Sequence, residues 1–438
     1  MTTHQSLPPQ RANNDTSTPA RPPRRAAFAL LLAGALCAGM GQTIVFSVLP
    51  PLAREMGLTN LQTGIIFMVS ASFWVLSGPY WGRASDRGGR KPFVIIGLGA
   101  FAVSTGLFAG VIKLGLVGIL SGVPLFLLLI TARSLYGIIG SAGPPAAQAY
   151  IADRTSKTQR TSGMAAFSAS FGLGAMLGPG FGAAAAVFGP VAPFYAMAGL
   201  AMIMAIAVFV FLPENTGPSA RDIQRKVTLT DPRILAILIY GLIFGIINAI
   251  PIQTIAFYFI DRLGYSTLEA PQIVGVGLMG SAMASLFSQL VIVQRFGVQP
   301  RLLMRIAPGL IIAGHFLIWA APALGTVIFG LVLAGFGAGL AVPAFNAAAS
   351  LAVDREEQGG AIGLAGAAGA SGFILSPFVG MSLYAISPQT PYLLTMALAL
   401  ALWVFAFFSK TIDAIRPEAI GPGMPATHDE RPASAPYR

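Results

Sequence analysis

Residues 174–182 read GAMLGPGFG, and residues 372–380 read GFILSPFVG. Both strings carry small residues and a proline at the same spacing, and each lies inside an apolar run of about 20 residues, long enough to cross a bilayer as a helix. Internal repeats of this kind are typical of membrane proteins built from two similar halves. The two strings therefore predict a duplicated bundle of membrane-spanning helices.

A second pair of matching sites supports the same division. GLTNLQTGII begins at Gly57 and GYSTLEAPQI begins at Gly264, and each places a hydroxyl residue three positions before Gln62 or Glu269. Ser or Thr followed three residues later by Glu or Gln forms a capping box, in which the two side chains satisfy free backbone N–H groups at a helix start. We therefore predict that a helix begins at each site.

Composition places most of the side chains in lipid. Of 438 residues, 55% are hydrophobic and 10% are charged, and the mean hydropathy is +0.73. A water-soluble domain cannot bury that much apolar surface. The sequence predicts an all-α polytopic membrane protein with 12 transmembrane helices in two pseudo-symmetric six-helix halves. The predicted spans are residues 26–50, 63–81, 92–113, 124–151, 162–187, 193–212, 233–259, 271–293, 302–321, 324–349, 360–383 and 391–408.

Three polar segments divide the chain. Residues 1–25 and 411–438 are predicted to be disordered cytoplasmic tails. Residues 213–232 form the longest internal polar segment, so we predict a cytoplasmic linker there. The N-terminal half then covers residues 26–212, and the C-terminal half covers residues 233–410.

The basic residues indicate how the chain lies in the membrane. The net charge is +11, which could also indicate a nucleic-acid-binding protein. If the N-terminus lies inside the cell and the spans alternate, the outer side receives only Arg54, Lys113 and Arg262. This bias follows the positive-inside rule. We therefore expect a multi-pass protein of the bacterial inner (plasma) membrane with both termini cytoplasmic, and no nucleic-acid partner.

The loop between the second and third spans, GRASDRGGRK at residues 82–91, must turn within a few residues. Its glycines Gly82 and Gly89 permit close backbone approach. Asp86 can accept hydrogen bonds at a helix N-terminus or pair with a nearby arginine. The alternative is a basic turn that only obeys the positive-inside rule. The predicted gating-loop residues are Gly82, Asp86, Arg87, Gly89, Arg90 and Lys91.

The loop pattern G-x-x-x-D-R-x-G-R-K resembles the cytoplasmic loop signature of the major facilitator superfamily. With the following Pro92, the pattern resembles the loop of the family's 12-span drug/proton antiporter group, the tetracycline-resistance-type efflux transporters. RSLYGIIG from Arg133 resembles the group's fourth-span arginine motif, and SFGLGAMLGPGFG from Ser170 resembles its fifth-span antiporter motif. VLP at residues 48–50 and LPEN at residues 212–215 are also similar to strings of that family. The resemblance implies secondary transport by alternating access, with export coupled to protons.

The fifth-span motif also has a physical meaning. Gly174, Gly178 and Gly182 are spaced by four residues, so they leave one helix face bare, and Pro179 loosens the backbone hydrogen-bond ladder. Another helix can approach that face closely. The resemblance implies that the approaching helix belongs to the opposite half, while the alternative is ordinary small-residue packing.

Arg133 lies deep in the fourth predicted span, where an unpaired cation is costly. We expect it to face a polar cavity, the alternative being a structural arginine that extends to the membrane interface. Amides and hydroxyls of other spans are candidates for the same cavity and equally for hydrogen bonds between helices. The predicted cavity residues are Arg133, Gln42, Thr43, Asn248, Gln253 and Asn346.

Proton coupling needs a titratable group inside the membrane. The tetracycline-type antiporters carry an acidic residue in the first span, where this sequence has Ala38, and no Asp or Glu lies inside any predicted span. His315, midway along the ninth span, belongs to the residue type that titrates near neutral pH. The resemblance places that span at the periphery, so we expect a packed or interhelical histidine.

The sequence predicts a secondary active transporter that exports a small amphiphilic molecule or drug, with proton antiport implied by the resemblance. One alternative is an importer or uniporter of a small, anionic metabolite. Another is a non-transporting membrane sensor or assembly protein of the same fold. The expected partners are a small-molecule substrate, the lipid bilayer and protons, and we expect a monomer.

An enzyme is not expected, because no nucleophile and base, carboxylate pair or metal cluster stands at workable spacing. The single cysteine, Cys37, and three scattered histidines give no metal site. We also expect no cofactor.

Overall fold

The computed structural model describes residues 25–155, 157–213, 227–267, 269–296, 298–354 and 357–413. Within these residues, 11 helices are long and apolar enough to cross a membrane. The helix Lys157–Ala186 has 30 residues and completes the predicted set, although its many Gly, Ala and Ser residues make it less apolar. The predicted tails, apart from their innermost residues, and residues 214–226 of the predicted linker lie outside the described residues. The bounds of the domains stay a prediction.

Each predicted span coincides with one long helix, and these helices are numbered α1 to α12. In chain order they are Arg25–Glu55 (α1), Asn60–Gly88 (α2), Arg90–Leu116 (α3), Gly122–Asp153 (α4), Lys157–Ala186 (α5), Ala192–Phe211 (α6), Leu235–Asp261 (α7), Ala270–Val293 (α8), Pro300–Trp319 (α9), Leu324–Leu351 (α10), Gly360–Ile386 (α11) and Thr390–Phe408 (α12). A short helix, Lys410–Asp413 (α13), ends the described chain.

Some of these helices change pitch part-way. α4 passes through a 3-10 turn, Gly140–Ala142, before its second segment, Gly143–Asp153. A π-helical segment, Ser288–Arg295, follows the α-helical part of α8, and α11 contains another at Pro377–Met381. Because proline lacks an N–H group, the wider turn that begins at Pro377 accommodates a missing hydrogen bond. Membrane helices tolerate such sites when their neighbours satisfy the freed backbone groups.

Both predicted capping boxes form. At the start of α2, the Gln62 N–H donates to Thr59 Oγ1 at 3.1 Å, and the Thr59 N–H donates to Gln62 Oε1 at 2.8 Å. Just before α8, the Glu269 N–H donates to Ser266 Oγ at 3.2 Å, and the Ser266 N–H donates to Glu269 Oε2 at 3.1 Å. The hydrogen bonds from the Ser266 hydroxyl and N–H lower the pKa of the Glu269 carboxyl. The same pair of reciprocal hydrogen bonds therefore precedes the second helix of each half, although α2 begins directly after Thr59 and α8 begins only at Ala270.

The repeated glycine-proline strings lie at equivalent helix contacts. A Cβ atom at Gly174 in α5 would overlap the carbonyl oxygen of Leu36 in α1. A Cβ atom at Gly372 in α11 would overlap the backbone of Gly245 in α7. Glycine thus lets the first and fifth helices of each half approach backbone to backbone. The two halves of the fold repeat the same helix pair.

Each half has its own buried apolar core, with Leu49 and Phe194 in the first half and Tyr240 in the second.

The chain crosses the bundle an even number of times between the start of α1 and the end of α12. These two points therefore lie at the same face of the bundle. We call this side, which holds Arg25 and Phe408, the terminal face. The opposite side, where α1 ends and α2 begins, is the distal face.

Candidate substrate cavity

The two halves touch near the distal face. A Cβ atom at Gly64, near the start of α2, would lie 3.0 Å from Pro377 Cβ and 3.1 Å from Met381 Cγ of α11. A Cβ atom at Gly275 of α8 would lie 2.8 Å from the carbonyl oxygen of Pro179 in α5. These contacts close the bundle on that side.

Towards the terminal face the same helices separate. Around Gly78 and Gly82 of α2, and around Gly363 and Gly366 of α11, no atom of another described helix lies within 4 Å of where a Cβ would stand. The two halves therefore diverge from the distal face to the terminal face. Among the described residues, the structure is therefore open towards the terminal face and closed at the distal face.

A charged cluster joins the halves at the distal face. The Arg54 guanidinium at the end of α1 forms an ion pair with the Asp261 carboxylate at the end of α7. Arg54 also donates to Asn60 Oδ1 at 2.9 Å, and the Tyr384 hydroxyl donates to Asp261 Oδ2 at 2.8 Å. Charge-assisted hydrogen bonds of this kind are stronger than neutral ones. The cluster ties α1, α2, α7 and α11 together and stabilises the closed distal side.

The sequence signal for this ion pair lies in the repeat. Arg54 stands three residues before Gly57, and Asp261 stands three residues before Gly264. These glycines begin the two matching capping-box strings, and both have positive φ, 78° and 74°. Equivalent positions of the two halves thus carry opposite charges. A comparison of the halves could have predicted the pair, whereas Arg54 taken alone is only an outer-side cation.

A cavity of about 640 Å³ lies between the halves. Its wall comes mainly from α5, α7, α8, α9 and α10, and its volume suits a drug-sized ligand. Many lining residues are apolar, among them Leu173, Phe244 and Ile247. None of the described residues that line it is Asp, Glu, Lys or Arg. The polar lining residues are Thr43, Ser168, Asn248, Ser281, Ser285, Gln289 and His315.

Of the predicted cavity residues, the structure brings Thr43 and Asn248 to this wall. Gln253 is 1% exposed, and neither of its amide atoms has a hydrogen-bond partner among the described residues. The Oδ1 atom of Asn346 is likewise buried without a partner in the described part of the chain. The roles of these side chains stay predictions. The two remaining predicted cavity residues, Gln42 and Arg133, do not line this wall and contact each other.

Arg133 lies in α4 and is only 4% exposed. Its guanidinium carbon is 4.8 Å from the centre of the Tyr136 ring, and its Nη2 is 3.5 Å from Gln42 Oε1. No carboxylate of the described residues forms an ion pair with it. Gln42 adjoins Thr43 in α1, so Arg133 lies next to the cavity wall without lining it.

The α8 face of the wall was not predicted. Ser281, Ser285 and Gln289 are spaced by four residues and therefore share one side of the helix. The Gln289 amide donates to Ser285 Oγ at 3.2 Å. A polar stripe at this spacing in an otherwise apolar span is the sequence signal that could have identified this face.

His315 in α9 lines the cavity, although only 3% of its surface is exposed. Its Nδ1 atom is buried and has no hydrogen-bond partner among the described residues. The centre of its ring lies 6.3 Å from that of Tyr392 in α12. The side chain is buried, as expected of a packed histidine, but its helix forms part of the cavity wall and is not peripheral at this depth.

The gating-loop carboxylate Asp86 pairs with Arg90 at 2.6 Å, which is one of the two predicted arrangements. Arg90 Nε also contacts Asp153 Oδ2, at the end of α4, at 3.1 Å. Gly89 has a φ of 86° and forms the turn between α2 and α3. Gly82 has no close neighbour from another described helix, so the expected close approach is wrong for this residue in this state.

The other loop cations lie at the surface of the first half. Arg87 is exposed in the last turn of α2, where a cation interacts favourably with the helix dipole. The Lys91 ammonium lies 5.7 Å from the centre of the Phe209 ring in α6. The contacts described for this loop all belong to the first half.

The glycines of the fifth-span motif face α1. A Cβ atom at Gly178 would overlap Thr43 Oγ1, and Gly182 also lies against α1. The expectation that this face meets the opposite half is wrong, because α1 belongs to the same half. A neighbouring face of α5 meets α8 instead, since a Cβ atom at Gly180 would lie 2.7 Å from Met279 Sδ.

This architecture defines the class of protein. A bundle of two repeated helical halves around a central cavity that opens to one face is the arrangement of membrane transporters that work by alternating access. The sequence matches the Major Facilitator Superfamily over residues 31–323 and 291–432, and the chain belongs to that family.

Relatives of known name are similar over much of the chain. Tetracycline resistance protein, class D, of Salmonella ordonez is 28% identical over 383 residues, which cover 82% of this chain and 91% of that protein. Multidrug resistance protein 2 of Bacillus subtilis is 30% identical over 188 residues, which cover 43% of this chain and only 44% of that relative.

A solved structure supports the fold. It is that of a bacterial homologue of the human lysosomal transporter Spinster in an inward-facing, occupied conformation. The TM-score is 0.70 at 14% identity, and the match covers 92% of this chain and 100% of that chain. At this identity the likeness shows the fold alone.

Proposed function

We propose that this chain is a secondary active transporter that exports a small amphiphilic molecule through a bacterial inner membrane. The observation that carries the proposal is the central cavity, which helix contacts and an ion pair close at the distal face. Rocking of the two halves exposes such a cavity to each side in turn. The names of the relatives, tetracycline and multidrug resistance proteins, favour export over import.

The cavity wall supports an amphiphilic substrate. Side chains such as Leu173 and Phe244 can cover an apolar body, and groups such as Ser281 and Gln289 can orient its polar atoms. The described lining residues carry no Lys or Arg that would hold an anion. Import of an anionic metabolite is therefore less well supported, because Arg133 lies behind the wall.

We propose that the terminal face is cytoplasmic, so that the structure is the inward-open state. Arg54, Lys113 and Arg262 belong to helix ends at the distal face, and the other Lys and Arg residues outside the membrane follow the terminal side by the alternation of spans. A C-terminal alkaline phosphatase fusion is expected to be inactive, because its disulfides form only in the periplasm. A C-terminal green fluorescent protein fusion should fluoresce. The opposite pair of results would reverse the orientation.

The function is tested by filling the cavity. Ala282 lines it, so Ala282→Trp should obstruct the substrate and slow transport on the order of tenfold, which corresponds to about 1.4 kcal/mol in the transport barrier. Leu400→Trp is the matched control, because Leu400 is 51% exposed on α12. The measurement is efflux of ethidium, a fluorescent aromatic amphiphile, in proteoliposomes.

The outcomes distinguish the claim that substrate passes through this cavity from the claim that the protein is a transporter. Equal flux in the two tryptophan variants would show that substrate does not pass through this cavity. Wild-type flux no higher than that of empty liposomes would contradict transport itself and favour the sensor or assembly role.

A further inference from the structure

The polar groups of the cavity wall are not equally free to meet a ligand. In the first half, the Thr43 hydroxyl donates to the Met40 carbonyl oxygen of its own helix at 3.1 Å. In the second half, the Nδ1 atom of His315 is enclosed by protein. The amide side chains of Asn248 and Gln289, by contrast, are partly exposed on the wall. These two amides are the candidates to contact polar atoms of a substrate.

Gln289 of α8 has an acceptor atom that is both unpaired and accessible. Its Nε2 donates to Ser285 Oγ at 3.2 Å, which sets the orientation of the amide, and no described residue donates to its Oε1. This oxygen is not one of the enclosed unpaired atoms, whereas both amide atoms of Gln253 are. A carbonyl oxygen accepts hydrogen bonds through its lone pairs. A molecule in the cavity can therefore donate to Gln289 Oε1 without displacing a contact of the protein.

The helix that carries Gln289 is held close against α10. A Cβ atom at Gly335 would overlap the carbonyl oxygen of Ser281, and a Cβ atom at Gly339 would overlap that of Ser285. The two helices thus pack backbone to backbone beside the polar stripe of α8. The π-helical segment of α8 begins one residue before Gln289, and wide turns of this kind are frequent at functional sites. The amide is therefore presented from a fixed backbone, as a recognition group requires.

A neutral amide recognises hydrogen-bond partners rather than charge. None of the described lining residues is Asp, Glu, Lys or Arg, so this wall offers no counter-ion of either sign. An amide carbonyl on such a wall stabilises a ligand that carries an N–H or O–H group and contributes little to the same ligand without it. We propose that Gln289 Oε1 accepts a hydrogen bond from the substrate and makes the transporter selective for amphiphiles with such a donor.

This inference rests on the proposed function and names its substrate class. The apolar body of the substrate lies against side chains such as Leu173 and Met176 of α5, in the first half. Its donor group meets Gln289 of α8, in the second half. The two halves therefore hold different ends of one molecule while they rock around it.

The test compares ethidium, whose amino groups are N–H donors, with its deaminated analogue, which keeps the charged phenanthridinium ring and has no N–H group. Efflux of each probe from proteoliposomes is measured for wild type, Gln289→Leu, Gln289→Ala and Gln272→Leu. Gln272→Leu is the matched control, because Gln272 is exposed on the same helix and does not line the cavity. Thermal unfolding midpoints of the purified variants are measured alongside.

We expect wild type and Gln272→Leu to transport ethidium about tenfold faster than the analogue at low probe concentration, the effect of one hydrogen bond. In Gln289→Leu and Gln289→Ala, ethidium flux should fall to that of the analogue, with unfolding midpoints close to that of Gln272→Leu. The preference for a donor should therefore disappear with the acceptor.

Three results would overturn the inference while leaving transport intact. They are equal flux of the two probes in wild type, a preference for ethidium that persists in both Gln289 variants, and a loss of both fluxes that accompanies a lower unfolding midpoint. The last of these would make Gln289 a structural residue. Wild-type flux of both probes no higher than that of empty liposomes would contradict the proposed function and this inference with it.

Discussion

Leucine at position 178 is expected to abolish transport and to lower thermal stability, whereas leucine at position 99 should leave both unchanged. A Cβ atom at Gly178 would overlap Thr43 Oγ1 and lie 2.5 Å from the Met40 carbonyl oxygen. A Cβ atom at Gly99 would meet no atom within 4 Å. The two glycines thus provide a matched pair, because both lie in membrane-spanning helices and differ in whether another backbone is close.

The cost at position 178 is large because α1 cannot yield locally. Overpacking a well-packed core typically costs about 1–3 kcal/mol, and here the obstacle includes backbone atoms. Separation of α1 from α5 would also displace Thr43, which lines the cavity. The measurements are ethidium flux in proteoliposomes and the thermal unfolding midpoint of the purified variants. Equal values for Gly178→Leu and Gly99→Leu would contradict the packing of α5 on α1.

The positions of the spans could be predicted because lipid imposes a minimum apolar length on each helix. The ends of the helices were less accessible to prediction. α1 continues to Glu55 and α2 to Gly88, beyond the predicted ends at residues 50 and 81. Hydropathy marks where lipid ends, whereas a helix continues for as long as its backbone hydrogen bonds are made.

The capping boxes could also be predicted, since they depend only on side chains within one turn. The helix that packs against the glycine face of α5 could not be predicted from the sequence. Spacing shows that Gly174 and Gly178 share a face, but which helix lies against it depends on how the whole half is assembled. The same limit applies to His315. Its place along α9 was clear from the sequence, but whether it lines a cavity depends on how the two halves are assembled.

Methionine at position 133 is expected to abolish transport without lowering stability. The Arg133 guanidinium is buried against Tyr136 and Gln42, with no carboxylate partner among the described residues. Removing an uncompensated charge from water costs on the order of several kcal/mol. An apolar side chain of similar length avoids that cost, so the Arg133→Met protein should unfold at the same temperature as wild type or at a higher one.

Transport is expected to fall in Arg133→Met, although stability is unchanged or raised. Arg133 contacts Gln42, the neighbour of Thr43 on the cavity wall, so its guanidinium positions that part of α1 against α4. Loss of a charged hydrogen-bond donor is worth about 3 kcal/mol, which corresponds to roughly a hundredfold lower ethidium flux. Arg133→Lys keeps the charge without the planar stacking on Tyr136 and should retain part of the flux. Normal flux in Arg133→Met would remove Arg133 from the transport mechanism. A fall in both flux and unfolding temperature would instead make it the structural arginine that the sequence left as the alternative.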